Sequence, residues 1–237
     1  MNPSSRIIVA LDVESSAAAM KLVEQLGPAA SFYKIGLQLL TAEGPSVVRQ
    51  IVAAGKQVFL DLKLFEIPNS VAGAVAATGQ LGVSMVTVHA SGGSAVLRAA
   101  VEAARPYPQL KVLALTVITS MRDRDLVEVG VSASVQEQVV RLARLAMQAG
   151  CHGVVASPQE AELLRALLPK EALIVTPGTQ LPGETGNDQA RTATPAEAIR
   201  AGSTHLIIGR SISRAPDPAA AFAAVRDQIG DQIANDE

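Results

Sequence analysis

Short runs of Val, Ile and Leu alternate with Ala-rich segments along the whole chain, at positions 7–11, 32–35, 57–63, 85–89, 112–118, 153–156, 173–176 and 205–208. Each run is short and nearly continuous in its apolar character, as strands covered on both faces by helices are. The segments between them carry an apolar stripe of helical period. Val96, Leu97, Ala100, Val101 and Ala104 trace one such stripe, and Val135, Val139, Leu142 and Leu145 trace another. Gly55, Gly82, Gly150 and Gly202 each follow an apolar helical stretch, where a glycine just past the last turn ends a helix. The polar tail 230–237 is expected to fray.

Strand and helix alternating eight times predict an α/β fold, a single-domain (β/α)8 TIM barrel spanning residues 1–237. A doubly wound nucleotide-binding sheet is the competing architecture, but it wants a glycine fingerprint after its first strand. Here that turn reads Asp12-Val13-Glu14-Ser15-Ser16. Barrels carry their chemistry at the carboxyl ends of the strands, so those ends nominate a site. They are Asp12, Lys34, Asp61 with Lys63, His89, Thr119, Ser157, Gly178, and Gly209 with Arg210.

Composition narrows the partners. Apolar residues make up 49% of the chain and aromatics 3%, with no Trp, so the core is built from Ala, Val, Leu and Ile. A net charge of -2 with scattered basic residues offers no footprint for nucleic acid or an anionic membrane, which points to a small-molecule partner. One cysteine, Cys151, rules out an intrachain disulfide. The first six residues enter a strand at once and no apolar run reaches the ~20 residues that span a bilayer, so a cytoplasmic protein is expected.

The stretch from Val58 to Ser70 is the most unusual in the chain, because an apolar strand runs straight into Asp61, Lys63 and Glu66 before Pro68 opens a helix. Side chains two apart share one face of a strand, so Asp61 and Lys63 should project together. With Lys34 and Asp12 they would form a mouth of alternating charge, suited to stabilising an anion that develops at one carbon. An internal salt bridge that only pins a loop is the plainer reading of the same residues. The segment 176–191 has neither helical nor strand period, and loops of that length in compact domains are commonly functional. With Gly209-Arg210-Ser211-Ile212 it sits where barrels often hold a phosphate. His89 reads as a hydrogen-bonded wall, and Cys151-His152 falls at the opposite rim. No His, Asp or Glu spacing suggests a metal cage.

Asp61-Leu62-Lys63-Leu64-Phe65-Glu66-Ile67-Pro68-Asn69-Ser70 resembles the Asp-x-Lys-x-x-Asp-Ile-Pro-Asn-Thr signature of the orotidine 5′-phosphate decarboxylase family. The resemblance extends through Ala10-Leu11-Asp12, Tyr33-Lys34-Ile35-Gly36, Val88-His89-Ala90, Thr176-Pro177-Gly178, Asp188-Gln189 and Gly209-Arg210-Ser211-Ile212. It implies a homodimeric barrel with sites at the subunit interface, converting orotidine 5′-phosphate to UMP and CO₂ without metal or organic cofactor, the last step of UMP synthesis. On that resemblance Lys63 is the acid that protonates C6, Asp61 faces the departing CO₂, and Lys34 and Asp12 hold the ribose and the charge network. Glu66 stands where an acid reaches into the partner's site, with Ile67 and Ser70 beside it among the substrate contacts. Thr119 is placed at the pyrimidine edge, while Gln180, Gln189, Gly209 and Arg210 fall at the phosphate end.

Two positions depart from the family pattern: Glu66 stands where the family has Asp, and Gln180 where bacterial members usually have Arg. The longer acid moves its carboxylate by over an ångström, a distance on which about 10²-fold in rate can hang. Two other readings stay open. One is a related phosphosugar barrel, a metal-dependent 3-keto-gulonate-6-phosphate decarboxylase or a Schiff-base aldolase. The other is a nucleotide-binding dimer with impaired chemistry.

Overall fold

The computed structural model describes residues 2–181 and 191–236. Eight parallel strands close into a barrel in sequence order: β1 (Ile7–Ala10), β2 (Phe32–Gly36), β3 (Gln57–Leu64), β4 (Met85–His89), β5 (Lys111–Leu115), β6 (Gly153–Val155), β7 (Leu173–Thr176) and β8 (His205–Ile208). β8 pairs back onto β1 through Ile7↔Leu206, Ile8↔Ile207 and Val9↔Ile208. The helices are α1 (Ser16–Leu26), α2 (Leu37–Glu43), α3 (Pro45–Ala53), α4 (Pro68–Gln80), α5 (Gly93–Ala104), α6 (Asp123–Glu128), α7 (Val135–Gln148), α8 (Pro158–Leu167), α9 (Pro195–Arg200), α10 (Arg210–Ser213) and α11 (Pro218–Asp236). The predicted (β/α)8 barrel is the fold observed.

Strand alternation divides the core in two. Ile8, Ala10, Phe32, Phe59, Met85, Leu113, Leu115, Val155, Val175 and Ile207 fill the barrel interior. Their neighbours of opposite parity, such as Ile7, Val9, Tyr33, Leu60 and Val86, join the helices in the surrounding layer. The parity that points Phe32 and Phe59 inward also points Lys34 and Asp61 inward, one step nearer the carboxyl rim. Alternation along a strand thus carries the packing of the interior directly into the site.

The four helix-ending glycines take φ of +72° (Gly55), +77° (Gly82), +86° (Gly150) and +97° (Gly202), a region open to glycine and costly to other residues. Two expectations need correcting. The run 112–118 reads as one strand, but β5 stops at Leu115. Its ladder with β6 ends at Leu115↔Val155, and both the backbone and the hydroxyl of Thr116 donate to the Val155 carbonyl. The tail does not fray at residue 230: α11 continues to Asp236. Ile229 is fully buried, and buried Gln232 accepts the Arg200 guanidinium at 2.9 and 3.2 Å. Among the described residues, no helix is long and apolar enough to cross a membrane.

The amino-end rim is closed by Arg6, which donates to the carbonyls of Thr204 and Ser203. His205 lies beneath it, edge-on to Phe32, and burial, then the Arg6 charge, push its imidazole down to about 4. The unfolded imidazole titrates near 6.5, so between those values the unfolded chain binds the extra proton and stability falls as pH drops. His205 should therefore cost about 3 kcal/mol of folding stability between pH 7 and pH 4. In denaturant unfolding at both pH values, His205→Asn should lose that share of the decline, and equal declines in variant and wild type would contradict it.

Candidate active site

The expected charged mouth is present, but β3 reaches it by an unexpected route. β3 and β4 are in register at Leu60↔Val86 and again at Leu64↔Val88, so residues 61, 62 and 63 of β3 stand opposite residue 87 of β4 alone. The three-against-one mismatch is a bulge, the device that re-aims side chains beside active sites. Lys63 absorbs it with φ +50°, the only non-glycine residue at positive φ among those described. That conformation costs roughly 1–2 kcal/mol. On its other edge β3 keeps regular pairing with β2, through Gly36↔Asp61.

The result is two ion pairs at one rim. Lys63 Nζ lies 2.8 Å from Asp61 Oδ1, and Lys34 Nζ lies 2.8 Å from Asp12 Oδ1. Asp61 is buried, whereas the Lys63 side chain keeps 35% of its exposure, facing the cavity. Lys34 is the reverse of its partner, at 11% side-chain exposure against 52% for Asp12. Gly36 leaves room for this second pair, since a Cβ there would come within 3.1 Å of Lys34 Nζ.

These four residues line a cavity of about 790 Å³ at the carboxyl end of the barrel, with Thr119, Gly178, Gln180, Gly209 and Arg210 among its other walls. The volume suits a small-molecule ligand. Glu66, Ile67 and Ser70 do not line it: Glu66 and Ile67 are exposed on the connection into α4, and Ser70 is exposed in its first turn. Gln189 lies outside the described residues. Ser157 is turned away from the cavity and bonds to Glu160. His89 also stays out of the lining; its Nδ1 accepts from Ser91 N at 3.2 Å and its ring packs on Phe65 at 5.4 Å. Burial, then the Lys63 charge, hold His89 below the ordinary imidazole range; it is hydrogen-bonded as expected, but it packs behind the cavity and does not form its wall.

A profile of the orotidine 5′-phosphate decarboxylase / HUMPS family matches residues 5–225. The chain belongs to that family. It is 48% identical over 237 aligned residues to an orotidine 5′-phosphate decarboxylase of Moorella thermoacetica, covering 97% of this chain and 94% of that protein. It is 46% identical over 229 residues to one from Haemophilus influenzae, covering 96% and 100%. The crystal structure of orotidine 5′-phosphate decarboxylase from Lactobacillus acidophilus superposes with a TM-score of 0.84 at 33% identity, covering 94% of this chain and 98% of that one.

Three residues in or behind the cavity wall were missed by reading the sequence. Thr87 is fully buried, accepts from Lys63 N at 2.8 Å and donates to Asp61 Oδ1 at 3.0 Å. It shares the inward parity of Met85, the one signal that could have found it. Arg214 lines the cavity one helical turn beyond Arg210, legible from the i, i+4 spacing alone. Arg191 pairs with buried Glu160 at 2.9 Å, while its Nε and Nη2 have no hydrogen-bond partner among the described residues. Two residues further on, Ala193 pairs with Thr179 and accepts from Gln180 N at 3.0 Å, so the Arg191 contact fastens the strip beside the cavity wall.

The Glu66 carboxylate accepts from the Ser70 hydroxyl, then from the Ile67 N–H, and both hold it below the usual glutamate range. Glu66 is therefore tied to the first turn of the helix that follows it. Ser70→Ala should raise the Glu66 pKa toward its ordinary value, read by carboxylate NMR titration, and an unmoved titration would refute the contact.

Proposed function

We propose that the protein decarboxylates orotidine 5′-phosphate to UMP and CO₂ without metal or organic cofactor. The observation that carries this reading is the Lys63–Asp61 pair, 2.8 Å apart at the wall of a cavity that also holds the Lys34–Asp12 pair. Asp61 would face the substrate carboxylate and Lys63 the ring carbon that bears it. When the C6–CO₂ bond breaks, its electron pair stays on C6, and the Lys63 ammonium both stabilises that charge and donates the proton that replaces CO₂. Preset opposite charges need no reorganisation at that moment. Lys34 and Asp12 hold the ribose. Arg210 with Gly209 takes the phosphate, a guanidinium offering a bidentate grip; Gln180 lies on that wall, and Thr119 meets the pyrimidine edge. Gln189 belongs to the same phosphate grip, and binding energy gathered there serves the transition state.

Glu66, with Ile67 and Ser70, would complete the site of a second copy in a homodimer. Phe65 at 64% exposure, Ile67 at 62% and Leu37 at 58% support this, because all three are large apolar side chains just past the carboxyl ends of β2 and β3. A single cysteine, which is buried and can form no intrachain disulfide, fits a cytoplasmic setting.

An ultraviolet assay for loss of the orotate chromophore tests the reading directly, and UMP binding without consumption of orotidine 5′-phosphate would point to an impaired nucleotide-binding barrel. Lys63→Ala should abolish turnover while UMP binding stays measurable; near-normal turnover would overturn the role of Lys63. Glu66→Asp should preserve or raise the rate, and a fall of tenfold or more, on the order of what small displacements cause, would mean that the site is tuned to the longer acid.

A further inference from the structure

We infer that Thr87 is a positioning residue that sets the catalytic geometry of Lys63 and Asp61 together, a role that rests on the decarboxylase reading above. The bulge in β3 leaves the Lys63 N–H without its regular partner on β4, since Leu62 and Lys63 have no opposite residue of their own. A partly buried amide in that state needs a substitute acceptor. The Thr87 hydroxyl supplies it at 2.8 Å, which orients its own proton toward Asp61 Oδ1 at 3.0 Å. That same carboxylate oxygen receives Lys63 Nζ at 2.8 Å.

One fully buried hydroxyl therefore closes a ring: Lys63 backbone to Thr87, Thr87 to Asp61, and Asp61 to the Lys63 ammonium. The backbone of Lys63 sits in the left-handed region, at φ +50°, so its side chain is aimed by a conformation that relaxes unless neighbours hold it. β branching limits Thr87 to few rotamers, which keeps the hydroxyl on this path. Thr87 does not line the cavity. It acts through the pair and not on the substrate.

Thr87→Val keeps the shape and removes the hydroxyl. The expected result is a fall in kcat of about 10- to 100-fold, the scale of ångström-sized misplacement, with the Kd for UMP within about threefold of wild type. Thr87→Ser, which restores the hydroxyl, should recover at least tenfold of that loss. A Thr87→Val enzyme with kcat within twofold of wild type would overturn the inference, as would equal losses in kcat and UMP affinity. Where Val at position 87 yields no folded protein, Thr87→Ala and Thr87→Ser are compared at matched folded concentration, and equal turnover of the two would overturn it. Wild-type turnover measured alongside tests the decarboxylase reading itself, so failure of that reading and failure of the Thr87 role are read separately.

Discussion

A mismatch of residue count between two neighbouring strands governs the site. Three residues of β3 must be accommodated opposite one of β4, and the strand meets that constraint by turning Lys63 into the left-handed region. A regular parallel ladder would have spaced Asp61 and Lys63 about 6.6 Å apart along the strand. Across the bulge their charged ends meet at 2.8 Å. Desolvating a buried carboxylate is costly without a partner, and Asp61 receives both an ammonium and a hydroxyl. The rest of the barrel serves to keep those elements adjacent.

Placement of the second pair follows from simpler geometry. Lys34 lies two residues beyond Phe32 on β2, and Asp12 two beyond Ala10 after β1, so both rise from the interior layer to the rim. Alternation and parallel closure are enough to bring them together. The two pairs are thus built differently: one by regular strand geometry, the other by a local departure from it.

Most of the barrel was legible because its signals are periodic: strand-length apolar runs, helical stripes, and glycines that later proved to sit at positive φ. The meeting of Asp61 with Lys63 was also anticipated from two-residue alternation, though the bulge between them was not. What could not be read was any feature dependent on pairing register. Thr87 looks like an ordinary β-former in Met85-Val86-Thr87-Val88-His89, and only its position opposite three residues gives it work. The end of β5 at Thr116 was hidden for a similar reason, since its hydroxyl joins its own N–H on the Val155 carbonyl. The tail appeared too polar to hold a helix until the Arg200–Gln232 contact was visible. Glu66 was expected at the site, but the structure leaves it outside the cavity and bound to Ser70.

The central claim is that the ammonium of Lys63, held by Asp61, meets the carbon from which CO₂ departs. A crystal structure of the UMP complex tests it most directly. The account predicts Lys63 Nζ about 3–3.5 Å from C6 of the base, the range of a near-attack geometry, with Asp61 on the side where the lost carboxylate stood. A base bound with C6 remote from Lys63, or a Lys63 side chain turned out of the cavity, would contradict it.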